Sequence, residues 1–219
     1  MKLLKTAALL SLLIFLNSCA SGYKTIGPSQ LAYNSVAKEE GLSMEYKYDL
    51  LRKKYAKKEK KKDVRLVAVK ITNNTGENVT FGEDFFLSYE NGGQVLIMPT
   101  DKVFSSLKQQ PATHLLYLLL SPVVLSTTST NSNGYTESSS FPIGLIVGPG
   151  LAAGNLIAAS SANKKFKREL QEFQLQGKVI PKGQTVFGLI GIRADNYDAL
   201  ELRFEEPAVS PQPKVATPE

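Results

Sequence analysis

Cys19 is the only cysteine in 219 residues and His114 the only histidine. The side chains that most often serve as nucleophile, base or metal ligand therefore occur once each. A lone thiol can be acylated or oxidised, but it cannot form a disulfide within the chain. A Ser-His-Asp triad would rest on His114 alone, and a zinc site of several thiolates or imidazoles cannot be assembled. His114 follows Pro111 and precedes Leu115, a place that reads as a helix start or a surface position rather than a ligand. No pair of carboxylates stands out on one expected element, so the acid and base of a glycosidase have no candidates. The remaining conspicuous set is basic: Arg52 to Lys62 holds Lys53, Lys54, Lys57, Lys58, Lys60, Lys61 and Lys62 against the single acid Glu59. Such a run reads as a solvated loop or hairpin tip, or as an electrostatic contact with anionic headgroups or an acidic polymer. Nucleic acid is disfavoured as its partner, because no stacking aromatic beyond Tyr55 interleaves with the lysines.

The surroundings of Cys19 give its chemistry a direction. Met1-Lys2-Leu3-Leu4-Lys5 is a short basic start, and Thr6 to Leu16 is apolar but too brief to span a bilayer. Leu16-Asn17-Ser18-Cys19 resembles the lipobox of bacterial lipoproteins processed by signal peptidase II, with Asn17 bulkier and more polar than the usual residue. The resemblance implies removal of residues 1–18, a diacylglycerol thioether on Cys19 with further acylation such as palmitate, and permanent membrane attachment. Two or three acyl chains hold where one does not, because each buried methylene contributes about 0.8 kcal/mol. Ala20 in place of an aspartate, and no acidic residue before Glu39, imply an outer-membrane location facing the periplasm. Lys2 and Lys5 lie in the leader, so 24 of the 26 basic residues remain against 20 acidic ones, a formal charge of +4.

The elements that would position these groups follow from periodicity. Residues 19–42 begin small and polar and include Gly27-Pro28, the composition of a tether. From Ser43 the apolar residues Met44, Tyr46, Tyr48 and Leu50 alternate with polar ones, as in a half-buried strand. Val64 to Ile71 is apolar on both faces and ends in Asn73-Asn74-Thr75-Gly76, the pattern of a central strand and its turn. Short strand-like runs follow at Val79–Phe81, Phe85–Tyr89 and Gln94–Met98, and again at Thr185–Arg193 and Ala199–Phe204. Several short strands at close spacing predict a mainly β, antiparallel sandwich over 43–205. Val67-Ala68-Val69-Lys70-Ile71-Thr72-Asn73-Asn74-Thr75, the later Gly92-Gly93, and Ile180-Pro181-Lys182-Gly183-Gln184-Thr185 resemble the immunoglobulin-like domains of exported bacterial lipoproteins. That resemblance implies an immunoglobulin-like sandwich and a structural or binding role.

An insertion at about 109–175 interrupts the strands. From Gln109 to Asn163 the single formally charged residue is Glu137. Leu115 to Leu125 and Phe141 to Ala162 are apolar, and Ser126 to Ser140 between them reads as a Ser/Thr/Asn-rich loop. Gly144, Gly148 and Ala152 recur every four residues, as do Gly150, Gly154, Ala158 and Ala162. On a helix that spacing makes a groove for a second helix. Gly148-Pro149-Gly150-Leu151-Ala152-Ala153-Gly154 imitates a dinucleotide-binding turn, but a basic amphipathic helix with Phe166, Leu170 and Phe173 on one face follows it instead of a strand ending in an acid. Three readings stay open for this glycine-rich helical hairpin: packing on its own sandwich, docking in a partner or a second copy, or insertion in a membrane. Residues 206–219, with four prolines, are expected to be disordered. The sequence thus predicts a non-enzymatic envelope lipoprotein without cofactor or metal, acting as a structural or protein-binding module. The alternative is an accessory subunit of a membrane complex whose segment 115–162 enters the bilayer.

Overall fold

The structure, a computed structural model, describes residues 20–204. The expected leader, the expected lipidation site Cys19 and the proline-rich tail lie outside them. In chain order the elements are β1 (Ser35–Glu39), β2 (Leu42–Lys47), α1 (Lys53–Lys62), β3 (Val64–Asn73), β4 (Val79–Thr80), β5 (Phe86–Tyr89), β6 (Ile97–Met98) and α2 (Thr100–Leu107). A 3-10 helix (Pro111–Leu120), β7 (Leu125–Thr130), β8 (Thr136–Phe141) and the long α3 (Gly144–Glu172) follow, then β9 (Val179–Ile180), β10 (Thr185–Arg193) and β11 (Leu200–Arg203). The fold is mainly β, and every pairing between these strands is antiparallel. The chain divides into two compact units, 20–23 with 109–164, and 24–108 with 165–204.

In the larger unit a five-stranded sheet runs in the order β1-β2-β3-β10-β6, beside two short two-stranded sheets, β11-β5 and β4-β9. The register of β3 explains its double-sided apolar sequence. Val67, Val69 and Ile71 enter a core with Met44, Ile190, Ile192, Leu87, Leu200 and Leu202, while Leu66 and Ala68 on the opposite parity are equally buried. That second face is covered by helix: a Cβ at Gly191 of β10 would strike Val103 of α2. Tyr55 of α1 and Phe166 of α3 pack edge-on at 5.1 Å between ring centres, with Phe104 of α2 6.0 Å from Phe166. At the end of β3, Asn73 donates to the carbonyls of Glu77 (2.8 Å) and Ile180 (2.9 Å) and accepts from the Thr75 amide (2.9 Å). One buried amide thereby closes the turn predicted at 73–76 and joins it to β9.

Several expectations need correction. A strand, β1, occupies part of the expected tether, joined to β2 by Glu40-Gly41 with positive φ at both positions (37° and 89°), the geometry of a two-residue hairpin turn. The basic run is neither loop nor hairpin tip but the helix α1. The Ser/Thr-rich loop is the hairpin β7-β8. The insertion is consequently no helical hairpin: its first apolar run is a 3-10 helix ending at Leu120, before Pro122, and only its second run is an α-helix.

Candidate functional site

The smaller unit gathers the residues that carry almost no charge. Its 3-10 helix starts at Pro111, and the period of three turns His114 and Tyr117 inward. Both are buried, with their rings stacked at 6.2 Å and 1°, so the surface position expected for His114 is corrected. Leu115, Leu116, Leu118 and Leu119 face outward, Leu119 with 74 % of its surface exposed. Gly144 and Gly148 of α3 pack against the end of this helix, where a Cβ on Gly148 would lie 2.9 Å from the Tyr117 carbonyl oxygen. These two glycines are required by close backbone approach.

Along α3 the buried side chains are Ala152, Ala159, Ala162, Asn163, Phe166, Glu169 and Leu170, spaced as one helical face. Over the first four turns of α3 the exposed residues are Leu145, Ile146, Val147, Pro149, Gly150, Leu151, Ala153, Gly154, Ile157 and Ala158, which wrap around most of the helix, and none of them is polar. A Cβ at Gly150 or Gly154 would meet nothing within 4 Å, and Ala158 is exposed. The two four-residue series therefore part company over most of their length: Gly144, Gly148 and Ala152 are buried, whereas Gly150, Gly154 and Ala158 are exposed and only the last member of their series, Ala162, is buried. Among the described residues α3 is the one helix long and apolar enough to cross a membrane, and only 22 % of its most apolar 18-residue stretch is buried. A water-soluble helix of that composition would be mostly buried.

The start of the described chain belongs to the same unit. The Ala20 amide donates to Asn155 Oδ1 at 2.6 Å, and the Ser21 amide donates to Gln109 Oε1 at 3.1 Å while Gln109 Nε2 donates to the Ser21 carbonyl at 2.6 Å. Gln109 is clamped in turn by Asn163 through two backbone contacts of 2.9 Å each. Three amide side chains thus hold the residues next to Cys19 on the apolar unit. Nothing in the sequence singled out Asn155, Gln109 or Asn163 beyond their being polar islands in apolar runs.

In the larger unit, Lys53, Lys57, Lys60, Lys61 and Lys62 of α1 are exposed and Lys54 and Lys58 half-buried. Lys58 donates to the Lys108 carbonyl, and burial followed by the neighbouring lysines lowers its pKa. The acid within that run is the opposite case: Glu59 is 2 % exposed and its Oε1 accepts the Leu66 amide at 2.7 Å. β2 pairs with β3 only from Ala68 onward, so Leu66 has no strand donor-acceptor partner on that side and Glu59 replaces it. Burial pushes the Glu59 carboxyl up to about 7 against the pull of the Leu66 hydrogen bond and of Arg65. Arg65, 4 % exposed, donates to the Asp195 carbonyl and lies over the Tyr197 ring at 4.8 Å. Glu169 performs a second such task, accepting the amides of Ile26 and Gly27 at 2.9 and 2.8 Å.

A cleft of about 560 Å³ in the larger unit is lined by Phe86, Val95, Met98, Leu175 and Gln174, with Asp101 its one carboxylate. It offers apolar walls and amides, without an imidazole or amine to pair with Asp101. Among the described residues no group of three or more His, Cys, Asp or Glu could hold a metal ion. No protein-family model matches the chain, and no curated protein or solved structure is similar to it.

Proposed function

We propose that this protein is a lipid-anchored envelope lipoprotein without enzymatic activity, in which the 109–164 unit engages the bilayer and the β-rich unit serves as a structural or protein-binding module. The observation that carries this reading is the outward face of α3, exposed over Leu145–Ala158 without one polar side chain, in a unit whose hydrogen bonds hold Ala20, the neighbour of the lipidation site. Exposed apolar surface on this scale marks a membrane or protein contact. Gly144 to Asn163 is about 20 residues of helix, roughly 30 Å at 1.5 Å per residue, the thickness of a hydrocarbon core. Lys164, Lys165, Lys167 and Arg168 follow directly and are exposed, as suits side chains that reach for headgroups at the end of an apolar stretch.

For the module, the finer reading is an immunoglobulin-like sandwich. It is supported by the core that residues of the five-stranded sheet share with Leu87, Leu200 and Leu202 of β5 and β11. The location proposed is the periplasmic face of the outer membrane, with the anchor on Cys19 and an envelope protein as partner of the module.

The experiment separates lipid anchor from apolar unit. The chain from Ala20, exported behind a cleavable secretory leader so that it carries no acyl group, is expected to stay in the membrane pellet after carbonate extraction. Full release into the supernatant would refute bilayer engagement. Independently, metabolic fatty-acid label is expected on the full chain and absent from Cys19→Ser; label retained in that variant would refute the anchor.

A further inference from the structure

The hairpin β7-β8 is built as a sheet fragment without a sheet. Its six residue pairs run from Leu125 opposite Phe141 to Thr130 opposite Thr136, and every residue of both strands is exposed on both faces. Among the described residues neither outer edge is paired, since the two strands form a sheet of their own. An isolated two-stranded hairpin is marginal in water and needs further strands or a covering layer. Folded proteins normally blunt free edges with lysines, prolines, bulges or inward charges. Here β7, Leu125-Ser126-Thr127-Thr128-Ser129-Thr130, has none of these, and β8 has only Glu137.

We infer that the outer edge of β8 pairs with the outer edge of β7 in a second copy of this chain, continuing one antiparallel sheet from protomer to protomer. The hairpin's own register supplies the argument for a second copy over a foreign strand, because it demonstrates that these two sequences pair over six residues without conflict. Repeating that register between copies sets Glu137 opposite Ser129 of the neighbour, so no two carboxylates face each other. The contact is head-to-tail, which closes into a ring or extends as a filament. Strands of six residues span about 20 Å, short of the roughly 9–11 residues a bilayer-crossing strand needs, so the shared sheet is an assembly belt rather than a membrane pore. The inference does not depend on whether α3 enters lipid.

Two chains, one carrying Thr128→Cys and the other Ser138→Cys, with tags of different size, are co-expressed as full lipoproteins and oxidised in native membranes. Cys19 stays in place as the acylated residue. Residues 128 and 138 face each other across the ladder, and each chain has one partner only in another chain. The expected result is a mixed disulfide several-fold above that formed by either variant with Glu83→Cys, a residue exposed in the larger unit. A mixed disulfide no stronger than the Glu83→Cys control, with both thiols reactive toward maleimide, would overturn the inference. So would cross-linking mainly of Thr128→Cys to itself, or to a polypeptide of another size. Adding Ser126→Lys to the Thr128→Cys chain, which gives the bare edge a charge, is expected to reduce the mixed product at least several-fold.

Discussion

The backbone amide of Ala20 donates to the side-chain oxygen of Asn155 at 2.6 Å, and Asn155 in turn donates to the Leu151 carbonyl one helical turn back at 2.9 Å. The residue that follows Cys19 is thus held by α3 in the stretch whose outer face is wholly apolar. Asn155→Ala removes one partly buried hydrogen bond, a loss of about 1 kcal/mol. The expected outcome is faster amide exchange at Ala20 and Ser21, with the rest of the chain unchanged. Unaltered exchange there would show that Gln109 alone secures the segment.

The two glycine series of α3 give opposite responses. Gly148→Ala places a methyl 2.9 Å from the Tyr117 carbonyl oxygen, closer than real Cβ contacts, and is expected to lower the melting temperature of the protein in detergent. Gly154→Ala points into open space and removes the conformational cost of glycine, a gain of up to about 1 kcal/mol in a helix interior. Thermal unfolding of the two variants side by side reads both signs.

Glu59 links stability to pH. Its carboxyl titrates near 7 in the folded protein because of burial, while in the unfolded chain it titrates near the ordinary value of about 4.3. Between those values the folded state holds a proton that the unfolded state has lost, so stability falls as pH rises. Below about pH 4 the group makes no difference, and above pH 7 its full penalty applies, on the order of 3 kcal/mol for a shift of this size. Glu59→Gln keeps an oxygen for the Leu66 amide and cannot ionise. It is expected to match the parent at pH 4 in denaturant titrations and to exceed it at pH 8; equal stability of the two proteins at pH 8 would contradict the buried-acid account.

The lysine face of α1 is expected to add a salt-dependent affinity for anionic membranes. Lys57→Glu with Lys60→Glu and Lys61→Glu, all exposed positions, should weaken association of the unacylated chain with vesicles containing anionic lipid. At high salt the parent and variant should converge, because exposed charges are screened over about 10 Å or less.

Much of this was legible in the residues themselves, and what was not has physical causes. β3 and β10 announced themselves because both their faces are buried, which demands apolar β-branched residues throughout, and Pro181-Lys182-Gly183 marked the turn before β10. β1 was missed because it buries only Ala37 while Val36 points outward, so its hydrophobic pattern is inverted. α1 escaped because its inward positions are Tyr55 and Glu59, and a glutamate is no hydrophobic signal. β7-β8 escaped for a related reason: with both faces exposed and Ser or Thr at nearly every position, no alternation exists to be read, and only the pairing itself distinguishes strand from loop. The apolar surfaces of the smaller unit were plain from composition, but which glycines touch backbone and which face outward depends on where the 3-10 helix packs along α3.

If the 109–164 unit engages the bilayer as proposed, the exposed apolar residues of α3 meet lipid. Ile146→Cys and Leu151→Cys are each placed as the sole cysteine in the chain from Ala20, to be labelled with an environment-sensitive fluorophore in native-like vesicles, with Glu83→Cys as the water-exposed comparison. Blue-shifted emission quenched by brominated lipid is expected at 146 and 151, and quenching by aqueous iodide at 83. Iodide quenching at 146 and 151 equal to that at 83, with no effect of brominated lipid, would contradict bilayer engagement.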